Sequence, residues 1–95
     1  MSEQQIQSAI IKWLEKEGFY VIKTITCNRA GVPDIIACAP GGLFVAIEVK
    51  TPTGRVSKLQ EVHVRKINDT GGIAFIARSL PEVKLALKDR YAPIY

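Results

Sequence analysis

The sequence predicts an α/β fold with elements in the order αβββαβα, and three observations predict it. Apolar residues recur at helical spacing near both ends of the chain. Two β-branched runs flank a Pro-Gly-Gly segment in the middle. Ser-x-x-Gln or Ser-x-x-Glu appears three times where a helix would begin. A chain of 95 residues has room for one core, so a single domain over residues 1–95 is expected.

The elements follow in order. Residues 3 to 16 place Ile6, Ala9, Ile10, Trp13 and Leu14 on one stripe of an amphipathic helix. Ser2 and Gln5 have capping-box spacing at its start, and Gly18 ends it. Phe19 to Ile25 is β-branched and aromatic and reads as a strand, followed by a polar connection over residues 26–31. Pro33 to Ala39 and Leu43 to Lys50 are apolar runs around Pro40-Gly41-Gly42, the pattern of a hairpin with a three-residue loop. Thr51 to Val56, with Pro52 and Gly54, is a loop. Ser57 to Thr70 is the second helix, opened by Ser57 and Gln60 and stopped by Gly71-Gly72. Ile73 to Ala77 is the fourth strand. Ser79, Pro81 and Glu82 open a last helix to about Asp89, with Leu80, Val83, Ala86 and Leu87 on its apolar face.

Composition removes several classes. Apolar residues at 47% and charged residues at 23% are the values of a folded globular domain, not of a disordered chain. No apolar run reaches the roughly 18 residues of a membrane span, and the first ten residues lack a signal-peptide pattern, so a cytoplasmic protein without membrane partners is expected. Two cysteines, Cys27 and Cys38, are too few for a disulfide framework or a four-ligand zinc site and read as buried small residues. The net charge of +4 is unevenly spread. Residues 50–66 carry Lys50, Arg55, Lys58, Arg65 and Lys66 against Glu61 alone, and the rest of the chain is neutral. Such a stretch fits a polyanion-binding surface or a solvated helix face.

The hairpin has a chemical consequence. With Pro40-Gly41-Gly42 as the loop, Ala39 faces Leu43, and stepping back along both strands sets Asp34 directly opposite Glu48. Cross-strand partners share a face, as do residues two apart on one strand. Asp34, Glu48 and Lys50 therefore point to one side, while Ile35, Ala37, Ala39, Leu43, Val45, Ile47 and Val49 make an apolar second side. Opposed carboxylates repel unless something positive lies between them. Lys50 offsets part of that repulsion, as in a three-member ionic cluster. Mg²⁺ or Mn²⁺ would offset more, since facing carboxylate oxygens are the hard ligands these ions prefer.

Gly31-Val32-Pro33-Asp34, thirteen residues, then Glu48-Val49-Lys50 resembles the PD-(D/E)xK motif of nucleases with the restriction-endonuclease-like core. The longer order is similar to the VRR-NUC branch of stand-alone viral and bacterial type. That order is Ser2-Glu3-Gln4-Gln5, the Gly-x-Pro-Asp strand, Glu48 to Gly54 as E-V-K-T-P-x-G, Ser57-x-x-Gln60, and Gly71-Gly72 before the last strand.

The resemblance implies a four-stranded mixed sheet flanked by helices and a Mg²⁺- or Mn²⁺-dependent deoxyribonuclease. Asp34, Glu48 and the backbone carbonyl of Val49 would hold the ion, and Lys50 would serve the attacking water and the phosphate. Glu3 matches a further acid found on the first helix of related enzymes; it is also a first-turn acid favoured by the helix dipole. Gln60 matches a glutamine near such active sites and is also the third residue of a capping box. Arg29, Arg55, Lys58 and Arg65 are candidate phosphate contacts.

Other features read as structural. His63 has no metal-spaced partner and reads as packed or solvated. The aromatics Trp13, Phe19, Tyr20, Phe44 and Phe75 fall on apolar stripes or strands and read as core. The apolar run Tyr91-Ala92-Pro93-Ile94-Tyr95 would cover the core or a subunit interface. Similar stand-alone nucleases imply a homodimer acting on branched, Holliday-junction-like DNA in a bacterial or phage-infected cell. The competing class is a catalytically silent nucleic-acid-binding module on the same core.

Overall fold

The computed structural model describes residues 1–90, and its strands form one sheet in the order β1-β2-β3-β4. The elements are α1 (Glu3–Lys16), β1 (Tyr20–Lys23), β2 (Ile35–Cys38), β3 (Phe44–Val49), α2 (Lys58–Asp69), β4 (Ile73–Ala77) and α3 (Leu80–Arg90). The β1/β2 and β2/β3 pairs are antiparallel and β3/β4 is parallel, with α2 as the crossover, so the expected αβββαβα mixed sheet is the observed one. The tail at 91–95, read as a cover for the core or an interface, lies outside the described residues.

The hairpin register is the expected one. Ile35 pairs with Ile47, Ala37 with Val45, and the Ala39 N–H donates to the Leu43 carbonyl at 2.9 Å. Ile35, Ala37, Val45, Ile47 and Val49 form a core with Ile6, Ile10 and Leu14 of α1 and with Val83 and Leu87 of α3. These two helices therefore cover the apolar side of the sheet. Gln7 is also buried on α1, a position that the apolar stripe did not include.

Helix α2 lies across the opposite side, over β4 and β3. The small partners Ala46 and Ala74 give it room. The Asn68 side chain exchanges two 2.9 Å bonds with the backbone of Ala74, which occupies hydrogen-bonding groups on edge strand β4. A helix about 10 Å wide spans about two strands at 4.8 Å spacing, so α2 leaves the β1/β2 half of that face open.

That geometry corrects two expectations. Tyr20 and Phe44 are exposed, not core, while Phe19 and Phe75 are buried and Trp13 packs partly against the core. Cys38 pairs with both Tyr20 and Phe44 on the same open face and is exposed; Cys27, in the 25–32 loop, is exposed as well. Strand β1 also stops at Lys23 and not Ile25. Its partner runs out there: Thr24 makes the last contacts, through its N–H to the Asp34 carbonyl and its hydroxyl to the Pro33 carbonyl. Among the described residues no helix is long and apolar enough to cross a membrane.

Candidate active site

The acids sit where β2 and β3 part. The Ala39/Leu43 pair is hydrogen-bonded, so every second pair along the hairpin is too, and the next one past Ile35/Ile47 would join Pro33 to Val49. Pro33 has no N–H, so it cannot donate to the Val49 carbonyl, and the ladder fails at this step. Asp34 repairs half of the loss. Its Oδ2 accepts the Val49 N–H at 2.9 Å, while the Pro33 carbonyl turns to the Thr24 hydroxyl at 2.7 Å. The Val49 carbonyl is left facing the fork without its ladder donor. Pro followed by Asp is thus a physical unit: the proline opens the fork and the aspartate lines it.

Glu48 faces the same fork from β3 and is 1% exposed. Its Oε2 accepts from Gln60 Nε2 at 3.1 Å and lies 3.6 Å from Lys50 Nζ, whereas its Oε1 is buried with no hydrogen-bond partner. Burial first, and the Asp34 charge second, push the Glu48 carboxyl up to about 7, and Lys50 pulls it back only in part. An orphaned Glu48 oxygen lies beside the Asp34 carboxylate, next to a Val49 carbonyl that lacks its ladder donor. This donor set fits a hard divalent cation. Among the described residues no group of three or more His, Cys, Asp or Glu side chains is placed to hold a metal ion, so Glu3, half-buried in the first turn of α1, does not complete a triad with Asp34 and Glu48.

Gln60 closes the cap and also bonds to Glu48. Its Oε1 accepts the Ser57 N–H at 2.9 Å to close the capping box of α2, and its Nε2 reaches Glu48. The cap orients the amide so that its donor end faces the carboxylate. The Ser57 hydroxyl completes the box by accepting the Gln60 N–H at 3.1 Å.

The loop ahead of Asp34 is bound to α2. Gly31 has φ of +81°, and a Cβ there would lie 2.6 Å from Leu59 Cγ, so only glycine fits. His63 Nε2 lies 2.9 Å from the Ala30 carbonyl oxygen, a tethering bond in keeping with a structural histidine. Arg29 shares with Asp34 the lining of a shallow cavity of about 210 Å³. Arg55, Lys58 and Arg65 are exposed along the loop after Lys50 and on α2. Arg78, which no sequence pattern singled out, donates to the carbonyls of Thr51 at 2.6 Å and Gly54 at 2.8 Å.

This geometry meets an independent finding. The family model of the VRR-NUC domain matches residues 4–81. The chain belongs to the VRR-NUC domain family. Two solved structures share its fold. One, described as a VRR_NUC domain, is 24% identical, with 94% of this chain and 96% of that one covered and a TM-score of 0.79. Another, described as a VRR_NUC domain protein, is 16% identical, with 100% and 91% covered and a TM-score of 0.77. No curated protein matches the chain. The architecture, the family and the fork of β2 and β3 thus agree on a nuclease-type VRR-NUC fold.

Proposed function

We propose that this VRR-NUC domain is a metal-dependent DNA endonuclease whose site is the fork between β2 and β3. The observation that carries the reading is the buried, unpartnered Oε1 of Glu48 beside Asp34 and Lys50. In this reading Asp34, Glu48 and the Val49 carbonyl hold Mg²⁺ or Mn²⁺. A divalent cation there supplies Lewis acidity toward the scissile phosphate and a lowered pKa for the attacking water. Lys50 orients that water and holds charge building on the phosphate. Gln60 fixes the Glu48 carboxylate through Oε2, and the unpartnered Oε1 would be the oxygen offered to a cation. Arg29, beside Asp34, Arg55 and Lys58, around the start of α2, and Arg65, two turns along it, bind the flanking phosphates and set the salt dependence of binding.

Branched DNA as substrate and a homodimer as the active form belong to the same proposal. A two-fold pair of sites suits a junction with two-fold symmetry. The exposed Tyr20, Ile22 and Phe44 supply apolar surface for pairing.

The test is Asp34→Ala and Lys50→Ala with Mg²⁺ or Mn²⁺, on single-stranded, duplex, flap and four-way-junction DNA. Each variant is expected to lose several kcal/mol of barrier reduction, about a thousandfold in rate, while DNA binding persists. Wild-type cleavage by both variants overturns the site. Wild-type binding that survives EDTA, with no cutting under either ion, replaces the enzyme by a silent binding module. A monomer by light scattering that leaves junctions intact removes the dimeric junction reading.

A further inference from the structure

We infer that Arg78 is a positioning residue for Lys50, acting through the Thr51–Gly54 turn; this rests on the reading of Lys50 as part of the cleavage site. Lys50 is the first residue beyond β3, and sheet pairing holds only its N–H, bonded to the Ala77 carbonyl at 3.0 Å. Its side chain has four rotatable bonds, and freezing a lysine costs up to about 2 kcal/mol of rotamer entropy. Nothing in the strand itself aims the amine at Glu48.

The turn that follows supplies the aim. Gly54 donates to the Thr51 carbonyl at 3.0 Å, closing the turn back toward Lys50. A Cβ at Gly54 would lie 3.2 Å from Thr51 Oγ1 and 3.4 Å from both Cβ and Cδ of Lys50, so Gly54 lies alongside the lysine stem with room there for no more than a methyl group. The Lys50 side chain is 14% exposed.

Arg78 locks that turn. One nitrogen, Nη1, bonds the carbonyls at both ends of it, and the backbone of Arg78 directly follows Ala77, whose carbonyl accepts the Lys50 N–H. No carboxylate forms an ion pair with Arg78 among the described residues, where the ion pair present is Lys50–Glu48. Both N–H groups of Nη1 go to loop carbonyls, an arrangement that serves geometry. Charge-assisted bonds to carbonyls are also stronger than neutral ones.

The experiment uses the full chain and three variants. Arg78→Met keeps the apolar stem and removes the donors. It is expected to lower kcat by about 10- to 100-fold, the range for misplacing a catalytic group by about 1 Å, with KM for DNA within about twofold. Amide hydrogen exchange at Gly54 is expected to accelerate, while exchange in α1 stays unchanged. Arg78→Lys, which can still donate, is expected to recover part of the rate. Gly54→Ala sets a methyl group against the stem and crowds the Thr51 hydroxyl without altering Arg78, and a several-fold loss of kcat is expected even if Arg78→Met fails to fold.

In a Lys50→Ala background, Arg78→Met is expected to change the residual rate by less than about twofold, because the residue through which it acts is gone. Wild-type kcat in Arg78→Met and Gly54→Ala overturns the inference whatever the exchange data show. A full additive loss in the Lys50→Ala background overturns it too. If wild-type protein cuts no DNA under either ion but Gly54 exchange accelerates in Arg78→Met, the clamp stands and the nuclease reading fails.

Discussion

The two faces of the sheet are made by alternate residues of the same strands, yet they are held by different forces. On the α1/α3 side, Ile35, Ala37, Val45, Ile47 and Val49 are all buried in one apolar cluster. On the α2 side, the same strands present Asp34, Glu48 and Lys50 at one end and exposed Cys38 and Phe44 at the other. Helix α2 buries none of its residues fully. Named hydrogen bonds hold it, with Gln60 on Glu48, His63 on Ala30 and Asn68 on Ala74. Hydrophobic burial on one face supplies the margin that lets the other face hold a cluster that opposes folding.

The sharpest way to break this contrast is Glu48→Gln. At pH 8 the wild-type carboxylate is charged in both folded and unfolded states, and burying it beside Asp34 costs stability. The amide keeps the shape and removes the charge. Cleavage is expected to fall about a thousandfold or more while urea unfolding at pH 8 shows a gain of on the order of 1 to 3 kcal/mol. A variant that loses both activity and stability would make Glu48 a structural residue.

The opposite face answers with the opposite pair of effects. Leu14→Ala, at a fully buried position of α1, is expected to cost about 2 to 5 kcal/mol. Leu85→Ala, at a position 62% exposed on α3, is expected to change stability by less than about 0.5 kcal/mol. Thermal melts compare the two, and activity below the melting range should stay near wild type in both.

The pH dependence carries the same contrast with a definite sign. Glu48 titrates near 4.5 when unfolded and about 7 when folded, so the folded state holds the proton more tightly. Its stabilising contribution is complete below about pH 4.5, fades as the pH rises toward 7, and is gone above. The difference between wild type and Glu48→Gln is expected to move by on the order of 3 kcal/mol over that window. Mg²⁺ or Mn²⁺ must displace the same proton, so the stabilisation that the ion gives to wild type should grow from pH 6 to 8. Urea melts at several pH values, with and without the ion, measure both slopes.

How far these features were legible in the sequence depends on the range of the interaction. The register was readable because a Pro-Gly-Gly turn fixes it locally, and that alone set Asp34 opposite Glu48. The caps at Ser2 and Ser57 were readable because a capping box spans only four residues. Ser79 was half-readable: its hydroxyl accepts the Glu82 N–H, but Glu82 turns back one residue further, to the Arg78 N–H. Arg78 itself was invisible, since its partners lie 24 and 27 residues away in a loop without regular structure. Tyr20 and Cys38, on β1 and β2, misled because apolar composition says that a strand is in a sheet. It does not say how many strands the next helix is wide enough to cover.

The smallest effect tests how firmly α2 holds the loop before Asp34. His63 makes one bond to the Ala30 carbonyl and lies beside Gly31, in the loop before Asp34. His63→Ala is therefore expected to cost about 1 kcal/mol, one ordinary hydrogen bond, and to raise amide exchange across residues 28–32. Because Asp34 is fixed separately by the Val49 N–H and by the pairing of its carbonyl with Thr24, kcat should fall only a few-fold. Binding should weaken more, since Arg29 is carried on the loosened segment. A loss of kcat as large as that of Asp34→Ala would show that the loop, and not the fork, sets the position of the aspartate.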